Sequence, residues 1–414
     1  MTVITSGYYS YFDAVKEVLD YIGSKGVDES GMRDAKRSVI DAVNLLASGH
    51  TWTYYYQVGR LNLNAPYAAG SQSYNGSLYP SCSYDYTGGT YERQLTMDAP
   101  PSGSGFSQAT WPTWAADAYI RFNNVLYRVD ERKSSTVLTL TEELCPVVDF
   151  ASGSLWTSFY QDTYLLPEDF RSGDRSQYEV NLGQMTYLQP KDWLSLVRYA
   201  DSAGQPSAYT IMGDSKYPTR LVMRVMPYPT EAKTVDFIYQ RNPRELKIYS
   251  YSTGTATVTA GSNTITGSGT SWDSTMEGSV IRISSSTTVP TSKVDSNPYV
   301  FETQIVQVVG STSMRVLDTP DTSYTSVGYQ ISDPVDINVH SMLRAFKRAC
   351  EYNVSLKRIL PDKPSAVRLY EMELAKAKDA DSPNFSRRTV GTQYIRDTRL
   401  ARQPYSGTGG NVYD

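Results

Sequence analysis

The order of apolar periodicities along the chain limits its architecture more than any other sequence feature. Apolar residues recur at three- and four-residue spacing, which is typical of amphipathic helices, only towards the two ends. Between Trp52 and Ser332, short runs of Val, Ile, Thr and Tyr alternate with Gly, Asn, Ser and Pro, which is typical of strands and turns. The sequence therefore predicts a helix pair, a long β-rich region and a second helix pair.

Four amphipathic helices are predicted, two at each end of the chain. Gly49 ends the second helix, and Asp28 or Ser30 can cap its start. The C-terminal pair is predicted over 335–360 and 365–378. Because each helix has one apolar stripe to bury, we expect the four to form one helical layer. The residues expected at the helix contacts are Val39, Val43, Leu46, Met342, Phe346, Tyr370 and Leu374.

The β-rich region contains two similar stretches. Residues 111–122 align without gaps on 272–283, at an offset of 161. Further along, 129–140 aligns on 306–317 at an offset of 177, so the second stretch has 16 additional residues. The identical pairs in the first alignment are Trp111/Trp272, Ile120/Ile281 and Arg121/Arg282.

These patterns predict an α+β chain in which a helical layer accompanies a central antiparallel β-barrel or sandwich with two inserted, duplicated β-modules. The tryptophan that opens each module, Trp111 or Trp272, is expected to anchor its core. The predicted segments are an N-terminal helix hairpin (1–51), a stretch leading into the β-domain (52–83), β-module 1 (84–148), the core β-domain (149–249), β-module 2 (250–334), the C-terminal helices (335–380) and an extended arm (381–414).

Length and composition exclude several classes of protein. The 414 residues are enough for two to three domains, and 40% hydrophobic residues are too many for an extended disordered polymer. No stretch reaches the roughly 18 apolar residues of a membrane-spanning helix. The first residues lack a basic and apolar signal, and the three cysteines are far apart, so we expect no membrane partner and synthesis in a reducing cytoplasm.

A search for reactive motifs finds no Walker loop, HExxH, CxxC or GxSxG pattern. The two histidines, His50 and His340, lie at predicted helix ends with neither a base partner nor a metal-ligand partner nearby in sequence. Glu142 and Glu143 could supply two carboxylates for glycoside cleavage, but adjacent residues point to opposite faces of a strand. We therefore expect no enzymatic activity, no metal and no cofactor.

The C-terminal end differs from the rest of the chain in charge. Residues 336–414 hold 14 Lys and Arg against 9 Asp and Glu, whereas residues 1–335 hold 25 against 34. The segment 381–414 has almost no aliphatic periodicity, so we expect an arm that becomes ordered on a partner, with guanidinium groups meeting carboxylates. The residues expected to dock are Arg387, Arg388, Tyr394, Arg396, Arg399, Arg402 and Tyr405.

Three short motifs accompany the helix–β–helix order. They are Trp52-Thr-Tyr-Tyr-Tyr56, Tyr164-Leu-Leu-Pro-Glu-Asp-Phe170 and the run from Leu221 to Met226 with Pro227-Tyr228-Pro229 after it. With the helix pairs, they resemble the head-to-tail connector (adaptor) proteins of tailed bacteriophages, of the tail tubular protein A type. The resemblance covers both ends of the chain and the region 150–250, and the two β-modules depart from it.

The resemblance implies a structural virion protein in the neck or tail of the particle, synthesised in the host cytoplasm. Such proteins form a homo-oligomeric ring, commonly a dodecamer, between the portal protein and a tail nozzle, tube or fibre protein. Double-stranded DNA passes through the channel of the ring without sequence-specific binding. The acidic body of this chain agrees with that expectation, because DNA binding needs clustered cations to neutralise phosphates.

Two alternatives stay open at this point. The 34 tyrosines and 6 tryptophans suit a tail protein that binds or depolymerises carbohydrate, with sugar rings stacking on Trp111, Trp114 or Trp272. Another ring of the tail, a stopper or tube protein, shares most expectations with the adaptor.

Overall fold

The computed structural model describes residues 8–23, 28–173, 185–197, 203–289, 299–358 and 363–381. The predicted α+β class is confirmed: the described chain has few helices and mostly antiparallel strands, which form two half-barrel sheets beside smaller ones. The chain divides into two compact units, Met1–Tyr54 with Pro243–Asp414 (the first unit) and Tyr55–Asn242 (the second unit). The described α-helices are α1 (Tyr11–Ile22), α2 (Glu29–Ser48), α3 (Pro190–Val197), α4 (Leu343–Lys357) and α5 (Lys363–Asp381).

The four helices of the first unit contact one another. Asn353 on α4 donates its side-chain amide to the carbonyl of Ser38 on α2, at 3.4 Å. Tyr352 on α4 stacks on Tyr370 on α5, with ring centroids 5.7 Å apart and planes 2° from parallel. Lys347 on α4 forms an ion pair with Glu17 on α1 at 2.7 Å. None of the described helices is long and apolar enough to cross a membrane.

Two helix predictions differ from the structure. Helix α4 begins at Leu343, not at 335, because the backbone before it is bound to the start of the chain: the N–H of Val335 donates to the carbonyl of Tyr9 at 2.8 Å. Helix α3 lies in a segment predicted to contain only strands. Its eight residues are too few to display a clear helical period in the sequence.

The second unit contains three larger sheets. A three-stranded sheet (order β1-β18-β12) and a four-stranded sheet (β11-β16-β15-β13) share one hydrophobic core, which includes Tyr209 and Phe237. A seven-stranded sheet has the order β10-β6-β7-β8-β5-β4-β9. The strands are β1 (Tyr56–Leu63), β2 (Gln72–Tyr74), β3 (Ser77–Tyr79), β4 (Cys82–Asp85), β5 (Gln94–Met97), β6 (Tyr119–Phe122), β7 (Val125–Arg132), β8 (Val137–Leu140), β9 (Phe150–Ser154), β10 (Ser158–Tyr160), β11 (Thr163–Leu165), β12 (Phe170–Gly173), β13 (Thr186–Tyr187), β14 (Ala203–Gly204), β15 (Ala208–Asp214), β16 (Tyr217–Met226), β17 (Tyr228–Pro229) and β18 (Lys233–Arg241).

The first unit contains a seven-stranded sheet of its own, with the order β24-β19-β20-β23-β22-β21-β25. Its inward side chains form a separate core that includes Trp272, Ile281 and Tyr329. The strands are β19 (Thr255–Val258), β20 (Thr264–Ser268), β21 (Val280–Ile283), β22 (Phe301–Gly310), β23 (Ser313–Val316), β24 (Tyr324–Val327) and β25 (Tyr329–Ser332).

The two seven-stranded sheets have the same topology. Taking β4 to β10 in order against β19 to β25, every strand has the corresponding neighbours in both sheets. The register also coincides: Val129 lies opposite Leu140 with a bulge before the next pair, and Ile305 lies opposite Val316 with a bulge at the same place. The strands of the earlier sheet run from Cys82 to Tyr160, whereas the predicted module covers only 84–148.

The second half of the predicted repeat alignment is wrong by one residue. The structure matches Val129 with Ile305, an offset of 176, whereas the sequence alignment matches it with Val306. Val129 and Ile305 are 0% and 1% exposed, while Val306 is 56% exposed. Successive strand residues face opposite sides of a sheet, so a shift of one residue exchanges core and solvent positions.

Candidate functional site

The two module tryptophans are buried in the cores of the two seven-stranded sheets. Trp111 and Trp272 are 1% and 3% exposed. The indole N–H of Trp111 donates to the carbonyl of Thr136 at 3.0 Å, and that of Trp272 donates to the hydroxyl of Tyr329 at 3.0 Å. The faces of both indoles are therefore buried, and both indole N–H groups have a hydrogen-bond partner. Neither ring is accessible for a sugar ring to stack on.

The start of α1 forms a highly connected polar centre within the described part of the first unit. Ser10 caps the helix in a reciprocal arrangement: its hydroxyl accepts from the N–H of Asp13, and the Asp13 carboxylate accepts from the N–H of Ser10. The N–H of Tyr11 donates to the carbonyl of Asp333, just after β25, at 2.7 Å. The capping contacts thus fix the Asp13 carboxylate beside the sheet.

Arg282 on β21 occupies this centre and is fully buried. Its Nη1 and Nη2 atoms donate to the two carboxylate oxygens of Asp13 at 3.0 and 2.6 Å, and Nε donates to Glu302 at 2.7 Å. The remaining guanidinium hydrogens reach the hydroxyl of Ser10 and the carbonyl of Tyr8. Burial alone would lower the pKa of Arg282, but the adjacent carboxylates of Asp13 and Glu302 raise it. This arrangement joins α1 to the sheet.

Arg121, which the sequence alignment pairs with Arg282, lies in a different environment. It is partly exposed on β6, and the residue that corresponds to Glu302 in its sheet is Leu126. The identical arginines therefore do not identify a shared binding function of the two modules.

A second polar cluster lies within the second unit, where the seven-stranded sheet and the short turn before β6 meet the β15–β16 hairpin. Burial lowers the pKa of Lys216, whose ammonium donates to the carbonyls of Ala116 and Val129. Arg128 forms an ion pair with Asp214 at 2.6 Å. A lysine with a lowered pKa can serve as a catalytic base, but this one uses its donors on backbone carbonyls and so connects two parts of the unit.

His50 has a carboxylate neighbour that the sequence did not indicate. Its Nε2 lies 3.4 Å from Asp381 at the end of α5, and Asp381 also accepts from the N–H and hydroxyl of Thr53. Asp381 is distant from His50 in sequence, so this contact was not among the expectations for His50. The contacts fasten the end of α5 to the segment after α2.

Two buried thiols and one cleft are further candidates for chemistry among the residues that the structure describes. Burial raises the pKa of the Cys82 and Cys350 thiols, which makes the reactive thiolate unfavourable. A cleft of about 510 Å³ in the second unit is lined by backbone and by side chains that include Leu78 and Asp98. The Asp98 carboxylate already accepts from the Ser81 hydroxyl and the N–H of Gly153. Among the residues that the structure describes, no group of three or more His, Cys, Asp and Glu side chains is placed to hold a metal ion.

The structure places most of the predicted helix-contact residues in the core of the first unit. Six of them are buried, and Leu374 is partly buried on α5. The six buried residues are Val39, Val43, Leu46, Met342, Phe346 and Tyr370. The predicted docking residues of the arm lie outside the described residues; they are Arg387, Arg388, Tyr394, Arg396, Arg399, Arg402 and Tyr405.

Comparison with known proteins adds no family assignment. No protein-family model, no curated protein and no solved structure matches the chain. The function must therefore be argued from the chain's own residues.

Proposed function

We propose that the chain is a structural protein of a tailed bacteriophage particle, a head-to-tail adaptor that forms a homo-oligomeric ring, commonly dodecameric, between portal and tail. The observation that carries this proposal is the packing of α1, α2, α4 and α5 against one another in the first unit. The β-rich region separates these helices in sequence, and a helix pair at each end of the chain is part of the adaptor resemblance.

We further infer that the two seven-stranded sheets are duplicated copies of one inserted module. Strand order, register and the position of one bulge coincide between them. A shared bulge supports duplication because bulges are specific local features that are retained within families. The buried Trp111 and Trp272 support a structural role for both modules, as spacers or contact surfaces.

In the proposed particle, the C-terminal arm docks on the portal protein or on a neighbouring subunit, and a tail nozzle, tube or fibre protein binds the opposite side of the ring. Double-stranded DNA passes through the channel without sequence-specific contacts, in agreement with the acidic excess of residues 1–335. The proposed role is non-enzymatic. Arg282 and Lys216 support a non-enzymatic role, because both side chains already donate hydrogen bonds to other groups of the same chain.

The carbohydrate-binding alternative loses support from the burial of Trp111 and Trp272. A stopper or tube ring of the tail remains a variant of the same proposal, and the two differ in their neighbours. Chemical cross-linking in the particle would separate them, because an adaptor links to the portal protein and a tube protein links only to other tail proteins.

Truncation of the arm tests the proposal. Removal of residues 386–414 leaves all described helices intact, because α5 ends at Asp381. The truncated chain should keep the circular dichroism and melting behaviour of the full chain but lose binding to the portal protein of the same phage. As a matched control, lysine at the five arm arginines keeps the charge and removes only the planar guanidinium fork, so binding should weaken less. Undiminished portal binding by the truncated chain would contradict the proposal.

A further inference from the structure

Strand β1 is the longest edge strand among the described sheets. It ends the three-stranded sheet β1-β18-β12, and all eight of its residues pair with β18. The other strands that end a described sheet have two to five residues. Among the described residues, no backbone hydrogen bond connects 57–63 to any strand except β18. Every second residue of β1 therefore directs its backbone N–H and C=O groups away from the sheet.

The open edge lacks the features that normally protect such strands. The pairing of β1 with β18 contains no bulge, and 56–63 contains neither proline nor lysine. Its one charged side chain, Arg60, is held by Asp236 on β18, with 2.6 Å between Nε and Oδ1. The other edge of the same sheet, β12, has only four residues and a bulge after Phe170. The sheet is thus blunted on one side and open to a further strand on the other.

One segment outside the described residues has the composition of such a strand. Residues 389–396 read Thr-Val-Gly-Thr-Gln-Tyr-Ile-Arg, and five of the eight are β-branched or aromatic. The run has the same length as β1 and contains no proline. It follows α5, whose last residue Asp381 accepts hydrogen bonds from the N–H and the hydroxyl of Thr53. Since Thr53 is three residues before β1, the arm starts beside the segment that leads into the open edge strand.

We propose that residues 389–396 of one copy add to the edge of β1 in a neighbouring copy as a fourth strand. In this mode of recognition, backbone hydrogen bonds provide the affinity, and alternate side chains fit the surface beside the edge. Val58, which is 72% exposed on β1, offers an aliphatic contact to the β-branched residues of the incoming strand. Each copy carries one arm and one β1, so a closed ring can pair all of them. The inference rests on the proposed ring function and names the partner of the arm.

The neighbouring copy is the partner because chain length limits antiparallel addition within one copy. Both described pairings of this sheet are antiparallel, and the described parallel pairs of the chain have only two residues each. An antiparallel run on its own β1 would begin near Leu63, about 23 Å from the start of the strand. The eight steps from Asp381 to Thr389 span at most about 28 Å when fully extended. That leaves almost no length for the residues before β1 and for the reversal of direction, whereas a neighbouring copy imposes no such limit.

Hydrogen exchange of the assembled full-length chain tests this contact. Without an added strand, about four of the eight amides in 56–63 face away from β18 and exchange rapidly. These amides should be protected in the assembled full chain, and removal of 386–414 should expose about four of them. A synthetic peptide of residues 386–397, added to the truncated chain, should restore the protection. Equal exchange in the full and the truncated chain, or no effect of the peptide, would overturn the proposal.

Proline variants of the full-length chain locate the pairing within the arm. Thr392→Pro/Gln393→Pro removes two consecutive N–H donors, one of which must take part in the pairing. This variant should exchange in 56–63 like the truncated chain and sediment as smaller species than the wild type. The matched control Leu400→Pro/Ala401→Pro places the same two prolines outside the run and should behave as the wild type. Equal behaviour of the two variants, or wild-type protection that persists on dilution to single copies, would contradict pairing with a neighbour.

A shorter truncation separates this inference from the proposed function. Removal of 397–414 retains the run 389–396 but removes Arg399, Arg402 and Tyr405, so 56–63 should stay protected even where portal binding is lost. A chain found in the neck of the particle with an unprotected β1 edge retains the adaptor function and loses this contact. A protected edge in a chain that is absent from the neck retains the contact and loses the adaptor function.

Discussion

Replacement of Arg282 by methionine should destabilise the first unit by about 3–5 kcal/mol, the usual cost of removing one partner from a buried ion pair. Methionine fills much of the volume, but it leaves the carboxylates of Asp13 and Glu302 buried without a cation. Arg282 donates hydrogen bonds to Asp13, Glu302, Ser10 and Tyr8. A hydrogen bond to a charged group contributes about 1.5–3 kcal/mol. The sum over the hydrogen bonds of Arg282 would approach the entire free energy of unfolding of a domain, about 5–15 kcal/mol. The net cost is lower because the unfolded chain regains hydration.

Two further variants separate the buried charges from the lost packing. Arg282→Met/Asp13→Asn/Glu302→Gln removes the uncompensated charges and should recover part of the stability lost in Arg282→Met. The matched control is Lys376→Met in the same unit, because Lys376 also pairs with a carboxylate, Glu373, but its side chain is 60% exposed. Its loss should cost less than about 1 kcal/mol.

Urea unfolding gives the free energies, and hydrogen exchange of peptides from 8–23 and 280–289 locates the change in the first unit. Arg282→Met should raise exchange in both peptides, since the guanidinium joins α1 to β21. An Arg282→Met chain within about 1 kcal/mol of the wild type, or a triple variant no more stable than the single one, would refute the argument that buried charge dominates here.

Three further predictions concern the core, the thiols and the tyrosines. Trp272→Ala should destabilise the first unit by about 3–5 kcal/mol, and Trp272→Phe by less, in the same urea assay. A thiol reagent should modify Cys145 alone in the native chain, because Cys82 and Cys350 are buried with raised pKa values; rapid uptake of a second equivalent would contradict this. Burial raises the pKa of Tyr11 and Tyr299 to about 12, above the unfolded value of 10.0. The contribution of these neutral hydroxyls to the free energy of unfolding should therefore be fully present below pH 10 and decrease as the pH rises towards 12. A urea midpoint that is unchanged between pH 9 and 11 would contradict the burial of these hydroxyls.

The sequence predicted those features whose cause is local. Helix α2 begins after Asp28 and ends at Gly49, as expected, because the cap and the apolar period lie within one segment. Asp28 accepts from the N–H of Gly31 at 2.9 Å, which decides between the two expected caps. The burial of Trp111 and Trp272 also follows from their size and apolar surface alone.

Features that depend on distant partners could not be predicted in the same way. Arg282 meets Asp13 across 269 positions of sequence, and the sequence contains no sign of that pairing. One local signal was present: Ser10 and Asp13 have the spacing of a capping box, and it would have placed the start of α1 and the orientation of the Asp13 carboxylate. The one-residue error in the repeat alignment has a local cause, since Val306 resembles Ile305 in type and only burial distinguishes them.

The two seven-stranded sheets share their fold but differ in the residues at their outward positions. Their inward positions are equivalent, so both sheets have the same strand order and the same bulge. Their differences lie at positions that face other parts of the protein or solvent: Glu302 stands where the other sheet has Leu126, and this carboxylate with Asp13 allows Arg282 to hold α1. Val306 likewise stands where the other sheet has Asp130. If the sheets are duplicates, their strands have diverged at these outward positions while the inward positions kept the fold, because a change that faces away from the core leaves the packing of the sheet intact.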